Sequence, residues 1–173
     1  MGNYQHVTHD FEPVYNDTSK ILILGSLPSV KSREEGFYYG HPRNRFWKVM
    51  SELLGCGLPQ TVAEKKEMLL QHGIAIWDVI QECDIIGSSD SSIKNVKPTQ
   101  LGQILDKADI AGIYGNGKTA SKLYRKYQQK ETGIDIRELP STSPANAAFS
   151  LERLVSIWGQ ELGGQWLKDS IRL

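Results

Sequence analysis

The chain contains only two cysteines, Cys56 and Cys83, among its 173 residues. So few cysteines in a chain of this size do not predict a disulfide scaffold, and a reduced, cytoplasmic protein is expected. Two thiols cannot supply the four ligands of an ordinary iron–sulfur cluster, and no His/Cys pair has the spacing of a zinc site. We therefore expect no metal ion and no other cofactor.

Long hydrophobic runs and an excess of charge of one sign are also missing. No segment approaches the ~18 consecutive apolar residues of a membrane span, and the polar start of the chain predicts no signal peptide. Twenty basic and 20 acidic residues give a net charge of zero, which argues against a protein that coats nucleic acid. No segment indicates an oligomer, so we expect a monomer outside the membrane.

Short apolar runs do occur, and they alternate with segments of helical periodicity. Strands are predicted at residues 21–24, 74–77, 110–114 and 134–139, with amphipathic helices between them. This order predicts the α/β class, with three α/β/α layers around a central four-stranded parallel sheet. The length predicts a single domain over residues 1–173, with a lead-in segment at 1–19 and a tail at 163–173.

Polar loops follow several of the predicted strands. The first runs from Gly25 to Arg45 and contains tyrosines, a histidine, arginines and an asparagine, which is a long loop for a small domain and therefore a functional candidate. In a parallel sheet, ligands bind at the carboxyl ends of the strands. Rings that stack, cations that contact phosphate and a neutral amide suit a pocket for a nucleobase.

A second motif competes with this interpretation. The residues from Gly112 to Thr119 match the P-loop pattern, which would indicate a nucleotide-binding protein. Ile113 and Tyr114 have the character of a strand interior, however, and the remaining turn is too short to surround a triphosphate. A tight strand-to-helix turn explains the same residues.

Structural roles also account for the candidate residues one by one. His41 has no nucleophile motif as a partner, Asp78 can cap the loop after its strand, and Asn44 can cap the helix that follows it. The positively charged run that contains Lys118 and Lys122 can be a solvated helix face. The loop from Pro140 to Asn146 can be a capped turn that two prolines stiffen.

Taken together, these segments resemble the uracil-DNA glycosylase superfamily. Residues 25–29 and 39–47 are similar to the first motif of its mismatch-specific uracil/thymine branch, and residues 139–146 are similar to the second motif, which inserts into DNA. The resemblance covers residues 20–160 and implies the superfamily's α/β fold and its excision of damaged bases.

Departures from the family motifs indicate the branch. Leu27 stands where the mismatch-specific enzymes carry their catalytic asparagine, and a leucine cannot orient water. The four-cysteine cluster of some branches and the histidine of the second motif are also missing. This combination resembles the hypoxanthine-DNA (DNA-deoxyinosine) glycosylases, family 6, in which the essential asparagine maps to Asn44. That resemblance implies a monofunctional hydrolase that leaves an abasic site.

The resemblance assigns three groups of residues. It implies that Asn44 is catalytic and that its amide oxygen orients a water toward the sugar. The expected base-binding residues are Gly25, Ser26, Leu27, Pro28, Tyr39, His41 and Asp78. The expected DNA contacts are Arg43, Arg45, Lys118, Lys122, Ser141, Thr142, Ser143, Pro144, Ala145 and Asn146.

Three other functions stay open on the sequence. A glycosylase of the same fold that acts on uracil is the nearest alternative. The others are a nucleotide-binding protein that uses Lys118 and a protein that binds damaged DNA without releasing a base. DNA with deaminated bases is the expected partner in the favoured interpretation.

Overall fold

The computed structural model describes residues 2–163. Within them the strands are β1 (Gln5–Thr8), β2 (Ile21–Gly25), β3 (Ile74–Asp78), β4 (Ile80–Ile85), β5 (Lys94–Pro98), β6 (Gly112–Asn116) and β7 (Ile136–Leu139). The helices are α1 (Val30–Glu35), α2 (Phe46–Leu54), α3 (Val62–Gln71), α4 (Gly102–Leu105), α5 (Lys118–Tyr127), α6 (Gln129–Thr132) and α7 (Leu151–Leu162). Apart from Gly163, the expected tail lies outside the described residues.

Four strands form a parallel sheet in the order β3-β2-β6-β7, which confirms the sheet predicted from the apolar runs. Every residue of β2 and β3 is buried, and because alternate residues of a strand point to opposite faces, both faces of the sheet are covered. Helix α3 packs on β3, α5 on β2, β6 and β7, and α7 on β7 and α2. The register pairs Gly25 with Asp78, so these two residues meet at the carboxyl edge.

The last two predicted strands in the chain begin later than the sequence indicates. Strand β6 begins at Gly112 instead of residue 110, and β7 begins at Ile136 instead of residue 134. The preceding apolar residues belong to turns, because the N–H groups of Ile110 and Ile134 bond to Ala108 and Thr132 before the ladders begin. Apolar character alone does not separate the end of a turn from the start of a strand.

A second, antiparallel sheet in the order β1-β4-β5 is not predicted by the sequence analysis. Strand β1 lies inside the expected lead-in, and β4 and β5 lie between two of the predicted strands. Register shifts between Ile80, Glu82 and Asp84 break the period-two pattern, and most side chains of β1 and β5 are polar and exposed. Strands of this kind carry little hydrophobic signal.

The long loop after β2 contains a short helix, α1, that the sequence analysis does not predict. Its N-cap is Ser29, whose side chain accepts the Ser32 N–H, and it ends at Gly36 with a φ of 74°. Six residues are too few to show a clear helical period. The helix carries Arg33 to the edge of a cavity at the carboxyl ends of the parallel strands.

The other helices follow their sequence signals more closely. Helix α2 ends at Gly55 with a φ of 66°, and α3 begins with a capping interaction between Thr61 and Glu64, which the Thr-x-x-Glu pattern favours. The ring of Phe46 in α2 packs edge-on against Trp158 of α7, with ring centroids 6.0 Å apart. Among residues 2–163, the helices are all too short or too polar to cross a membrane.

Candidate active site

A cavity of about 450 Å³ opens at the carboxyl edge of the parallel sheet. The residues that end β2, β3 and β6 line it, namely Gly25, Asp78 and Asn116. The two loops that carry the family motifs, residues 25–45 (the first motif loop) and residues 139–146 (the second motif loop), form its walls. The structure therefore brings the strand ends and both predicted loops to one site.

Most of the predicted site residues line this cavity. They are Gly25, Ser26, Leu27, Pro28, Tyr39, His41, Asn44, Asp78, Lys118, Ser141, Thr142, Ser143, Pro144 and Ala145. Arg43, Arg45, Lys122 and Asn146 are not among the lining residues. Position on the cavity wall gives the location of a side chain, and its role remains a prediction.

Two hydrogen bonds fix the orientation of the Asn44 amide. Its Oδ1 accepts the Phe46 N–H at 2.9 Å, in a turn just before α2, and the Thr142 hydroxyl at 2.8 Å; the N-cap of α2 is Arg45, so Asn44 is not the cap that the sequence offers as its structural role. A carbonyl oxygen has two lone pairs, so both are occupied. Among the described residues, Nδ2 has no partner and is the end of the amide that is left for a ligand.

This arrangement differs from the expected role of Asn44. The resemblance implies that the amide oxygen orients a water, but that oxygen already accepts two protein donors. The free group is the NH₂, which donates and does not accept. The geometry therefore favours Asn44 as a hydrogen-bond donor to the substrate.

Thr142 is clamped in turn by Asn116. The Asn116 Oδ1 accepts the Thr142 N–H at 3.0 Å, and its Nδ2 donates to the Thr142 hydroxyl at 3.0 Å. Because that hydroxyl oxygen accepts from Asn116, its own proton points to Asn44. Asn116 lies in the Gly-rich segment that the sequence analysis tests as a P-loop, and its structural role was missed.

Tyr39 forms a flat wall of the cavity. Its ring stacks on Phe46 with the centroids 4.1 Å apart and an interplanar angle of 21°. The φ of Tyr39 is 53°, a conformation that is uncommon for a bulky residue. Burial, and then the nearby charge of Asp78, raises the pKa of the Tyr39 hydroxyl, which therefore stays neutral.

Asp78 is buried and forms a hydrogen bond with His9, a residue that the sequence analysis places in the lead-in segment. The Asp78 Oδ2 lies 2.8 Å from the His9 Nε2, and the two side chains are 4% and 1% exposed. No periodic pattern or motif marks His9 in the sequence. The pairing of β1 with β4 brings His9 to the parallel sheet beside Asp78.

Arg45 holds the second motif loop and is not a free surface cation. Its guanidinium donates to the carbonyls of Thr142, Ser143, Asn146 and Phe149. Four of its five N–H groups are thus used inside the protein. This geometry corrects the expectation of a phosphate contact and gives Arg45 a structural role.

Asn146 also acts within the second motif loop. Its side chain donates to the Ser141 carbonyl at 3.0 Å, and its own carbonyl accepts from Arg45. Ser143, Pro144 and Ala145 lie on the cavity side of the same loop. These internal bonds give the loop a defined shape and argue against Asn146 as a group that enters DNA.

The remaining predicted cations stand in different environments. The Arg43 side chain is exposed. The backbone N–H of Arg43 donates to the His41 Nδ1 at 3.0 Å, which places the proton of a neutral His41 on Nε2. Lys118 and Lys122 are exposed on the first turns of α5. Arg33, which the sequence analysis missed, lines the cavity with a buried Nε that has no hydrogen-bond partner among the described residues.

The P-loop interpretation does not fit the structure. The residues from Gly112 to Asn116 are strand β6, and Gly117 follows as the N-cap of α5. The Gly117 N–H donates to the carbonyls of Gly115 and Leu139, so it cannot bind a phosphate. A loop that surrounds a triphosphate is not formed here.

A third loop, which the sequence analysis did not connect with the site, completes the rim. Gly87, Ser88 and Asp90 follow β4 and line the cavity. The Thr119 hydroxyl donates to the Asp90 carboxylate at 3.0 Å, which ties this loop to the start of α5. Within residues 2–163, no group of three or more His, Cys, Asp or Glu side chains is arranged to hold a metal ion.

Comparisons with known proteins identify the family. The family model described as the uracil DNA glycosylase superfamily matches residues 12–160. The chain is 33% identical to the hypoxanthine DNA glycosylase of Methanosarcina acetivorans over 151 aligned residues, which are 85% of this chain and 93% of that protein. It is 32% identical over 154 residues to the hypoxanthine DNA glycosylase of Methanosarcina barkeri, with 87% and 94% covered.

The fold comparison gives the same result. A solution NMR structure from Methanosarcina acetivorans, solved as a candidate uracil DNA glycosylase, matches with a TM-score of 0.74 and 29% identity over 94% of this chain and 95% of that one. The fold is therefore that of the α/β DNA glycosylases. This chain belongs to the uracil DNA glycosylase superfamily, which confirms the family inferred from its motifs.

Proposed function

We propose that this protein is a DNA glycosylase that hydrolyses the bond between hypoxanthine and deoxyribose and leaves an abasic site. The observation that carries the proposal is the fixed Asn44 amide in a cavity of about 450 Å³ that also holds an aromatic ring and a carboxylate. Two relatives that are 33% and 32% identical are named for hypoxanthine, which supports this substrate. Action as a monomer and a cytoplasmic location stay predictions.

The proposed reaction needs a flipped nucleotide. Hypoxanthine forms when adenine loses its amine, and it lies within the stack until an enzyme rotates it out. Water then adds to C1′ of the sugar, the bond from C1′ to N9 breaks, and its electron pair leaves with the base. The proton that the water loses ends on the base, which departs as neutral hypoxanthine.

Asn44 acts in this proposal through its NH₂ group. Negative charge develops on the base as the bond breaks, and a donor that is already fixed in position stabilises that charge without reorganising. Phe46 and Thr142 hold the amide oxygen and so set the direction of the NH₂. Leu27 lines the same cavity without a polar side-chain atom, so it offers no competing amide.

Tyr39 and Asp78 receive the flipped base. The second face of the Tyr39 ring stacks on it while Phe46 supports the first, a contact worth roughly 1–3 kcal/mol. The Asp78 carboxylate accepts the N1–H of hypoxanthine. Residues 143–145 occupy the gap that the flipped nucleotide leaves in the duplex.

The phosphate contacts are expected to include Arg33, whose buried Nε has no protein partner. Arg33→Gln should weaken binding to inosine DNA and reduce the slope of log affinity against log salt by about 0.9, the value for one lost contact on B-DNA. The matched control is Arg137→Gln, which removes the same charge from an exposed residue of β7 away from the cavity. Fluorescence anisotropy over a salt series measures both, and equal slopes for the two variants would contradict this role.

A panel of oligonucleotides that each contain one inosine, uracil or xanthine tests the substrate. Uracil is the second candidate, because the solved structural relative is described as a candidate uracil DNA glycosylase and uracil also offers a ring N–H. Gel analysis after alkaline cleavage of abasic sites should show the fastest reaction with inosine. Faster cleavage of the uracil oligonucleotide would make uracil the substrate in place of hypoxanthine. No cleavage of any of the three oligonucleotides would reject the proposal that the protein is a glycosylase.

A further inference from the structure

His9 is the only direct partner of the Asp78 carboxylate that the described residues provide through a side-chain hydrogen bond. The pair lies 2.8 Å apart, with the two side chains 1% and 4% exposed. Asp78 lines the active-site cavity of about 450 Å³, whereas His9 lines a second cavity of about 460 Å³ that shares no lining residue with the first. His9 therefore supports Asp78 from behind and does not touch a base itself.

The second carboxylate oxygen, Oδ1, is directed to the space above Gly25. A Cβ atom placed on Gly25 would lie 2.4 Å from Oδ1, so only glycine leaves room for this arrangement. Gly25 is itself a cavity residue. One oxygen of the carboxylate thus binds His9, and the other is the acceptor offered to the cavity.

The proton between the two side chains belongs to His9. The His9 Nδ1 is buried and has no partner. An unpaired acceptor is tolerated better in a protein interior than an unpaired N–H, so the lone pair is at Nδ1 and the proton at Nε2. His9 then donates, and Asp78 is an ionised acceptor.

The other titratable groups near Asp78 are two tyrosines. Burial, with a further contribution from the charge of Asp78, raises the pKa of both Tyr38 and Tyr39. The Tyr38 hydroxyl donates to the Glu12 carbonyl at 2.8 Å and so does not bind the carboxylate. Both phenols are neutral, which leaves Asp78 and His9 as the pair that sets the charge of this wall.

We infer that His9 is a positioning residue that holds Asp78 as an ionised acceptor and thereby selects bases with an N–H at the ring nitrogen. This inference rests on the proposed function. Hypoxanthine carries a proton at N1, whereas adenine, its undamaged precursor, has a lone pair there that a carboxylate repels. The pair would thus protect normal adenine from excision.

The test compares inosine with nebularine, a purine nucleoside whose N1 has a lone pair. Single-turnover rates should favour inosine by about 10-fold or more in the wild-type protein, since a hydrogen bond to a charged group is lost with nebularine. In His9→Leu the ratio should fall toward one. In His9→Gln, whose side-chain amide reaches the same position as Nε2, most of the ratio should return.

The result separates this inference from the proposed function. Wild-type protein that releases no hypoxanthine rejects the proposed function, and the inference with it. Wild-type release together with an unchanged ratio in a folded His9→Leu overturns only the inference. If His9→Leu does not fold, His9→Asn takes its place, because the Asn side chain is too short to replace Nε2. The ratio of the inosine rate to the nebularine rate should then fall toward one, and a wild-type ratio in His9→Asn overturns the inference equally.

Discussion

Asn44→Ala should lower the single-turnover rate of hypoxanthine release by about 10²- to 10³-fold, the usual effect of losing one fixed donor at a developing charge. The protein should stay folded. The Ala side chain no longer accepts the Phe46 N–H at the start of α2, and losing one such hydrogen bond costs about 0.5–1.5 kcal/mol of stability. Rapid-quench kinetics and a urea unfolding curve measure the two effects separately.

Asn44→Asp is the matched control, because it keeps the shape and the acceptor of the side chain. Its carboxylate can still accept the Phe46 N–H and the Thr142 hydroxyl, so the free energy of unfolding should stay close to the wild-type value. It has no NH₂, so the rate should fall as far as in Asn44→Ala. An Asn44→Asp protein that retains the wild-type rate would show that the oxygen, and not the NH₂, performs the chemistry.

Arg45→Met should give the largest loss of stability among the site variants, about 2–4 kcal/mol, since several carbonyls lose a charged donor together. The second motif loop should lose its shape, and hypoxanthine release should fall with it. Thermal unfolding monitored by tryptophan fluorescence measures the loss directly.

Arg43→Met provides the comparison, because this substitution removes the same charge from an exposed residue two positions away. Surface substitutions of this kind change stability by about 0.5 kcal/mol or less. Arg43→Met should therefore keep the wild-type unfolding temperature while it weakens DNA binding. Equal unfolding temperatures for the Arg43 and Arg45 variants would contradict the structural role of Arg45.

The parallel sheet was predictable because its strands are buried on both faces and appear as continuous apolar runs at residues 21–24 and 74–77. The antiparallel sheet was not, because β5 is mostly exposed and β4 contains register shifts that remove its alternation. Helix α1 also escaped prediction, although Ser29 and Gly36 cap it in an ordinary way. Its shortness hides the helical period.

The site likewise contains residues that the sequence predicted and residues that it did not. The resemblance to family motifs pointed to Asn44, Tyr39 and Asp78, and the structure places all three on one cavity. Their partners, His9 and Asn116, come from distant parts of the chain and carry no motif of their own. Contacts between such positions depend on how the strands pair, which local sequence patterns do not encode.

Arg45 illustrates the difference between a charge in a sequence and a charge in a structure. The sequence shows Arg43 and Arg45 as equivalent cations beside a polar loop, so both were expected to contact phosphate. The fold exposes the first and turns the second onto the carbonyls of the second motif loop. Only the direction of the side chain separates a DNA contact from a structural clamp.

The most direct test of the central claim is the release of free base from a duplex that contains one deoxyinosine. The wild-type protein, in excess over the DNA, should release one equivalent of hypoxanthine, detected by mass spectrometry, and leave one alkali-labile abasic site. Asn44→Ala should bind the same duplex and release little. Tight binding of the duplex by wild-type protein without any free hypoxanthine would contradict the account and would instead support a protein that only recognises damaged DNA.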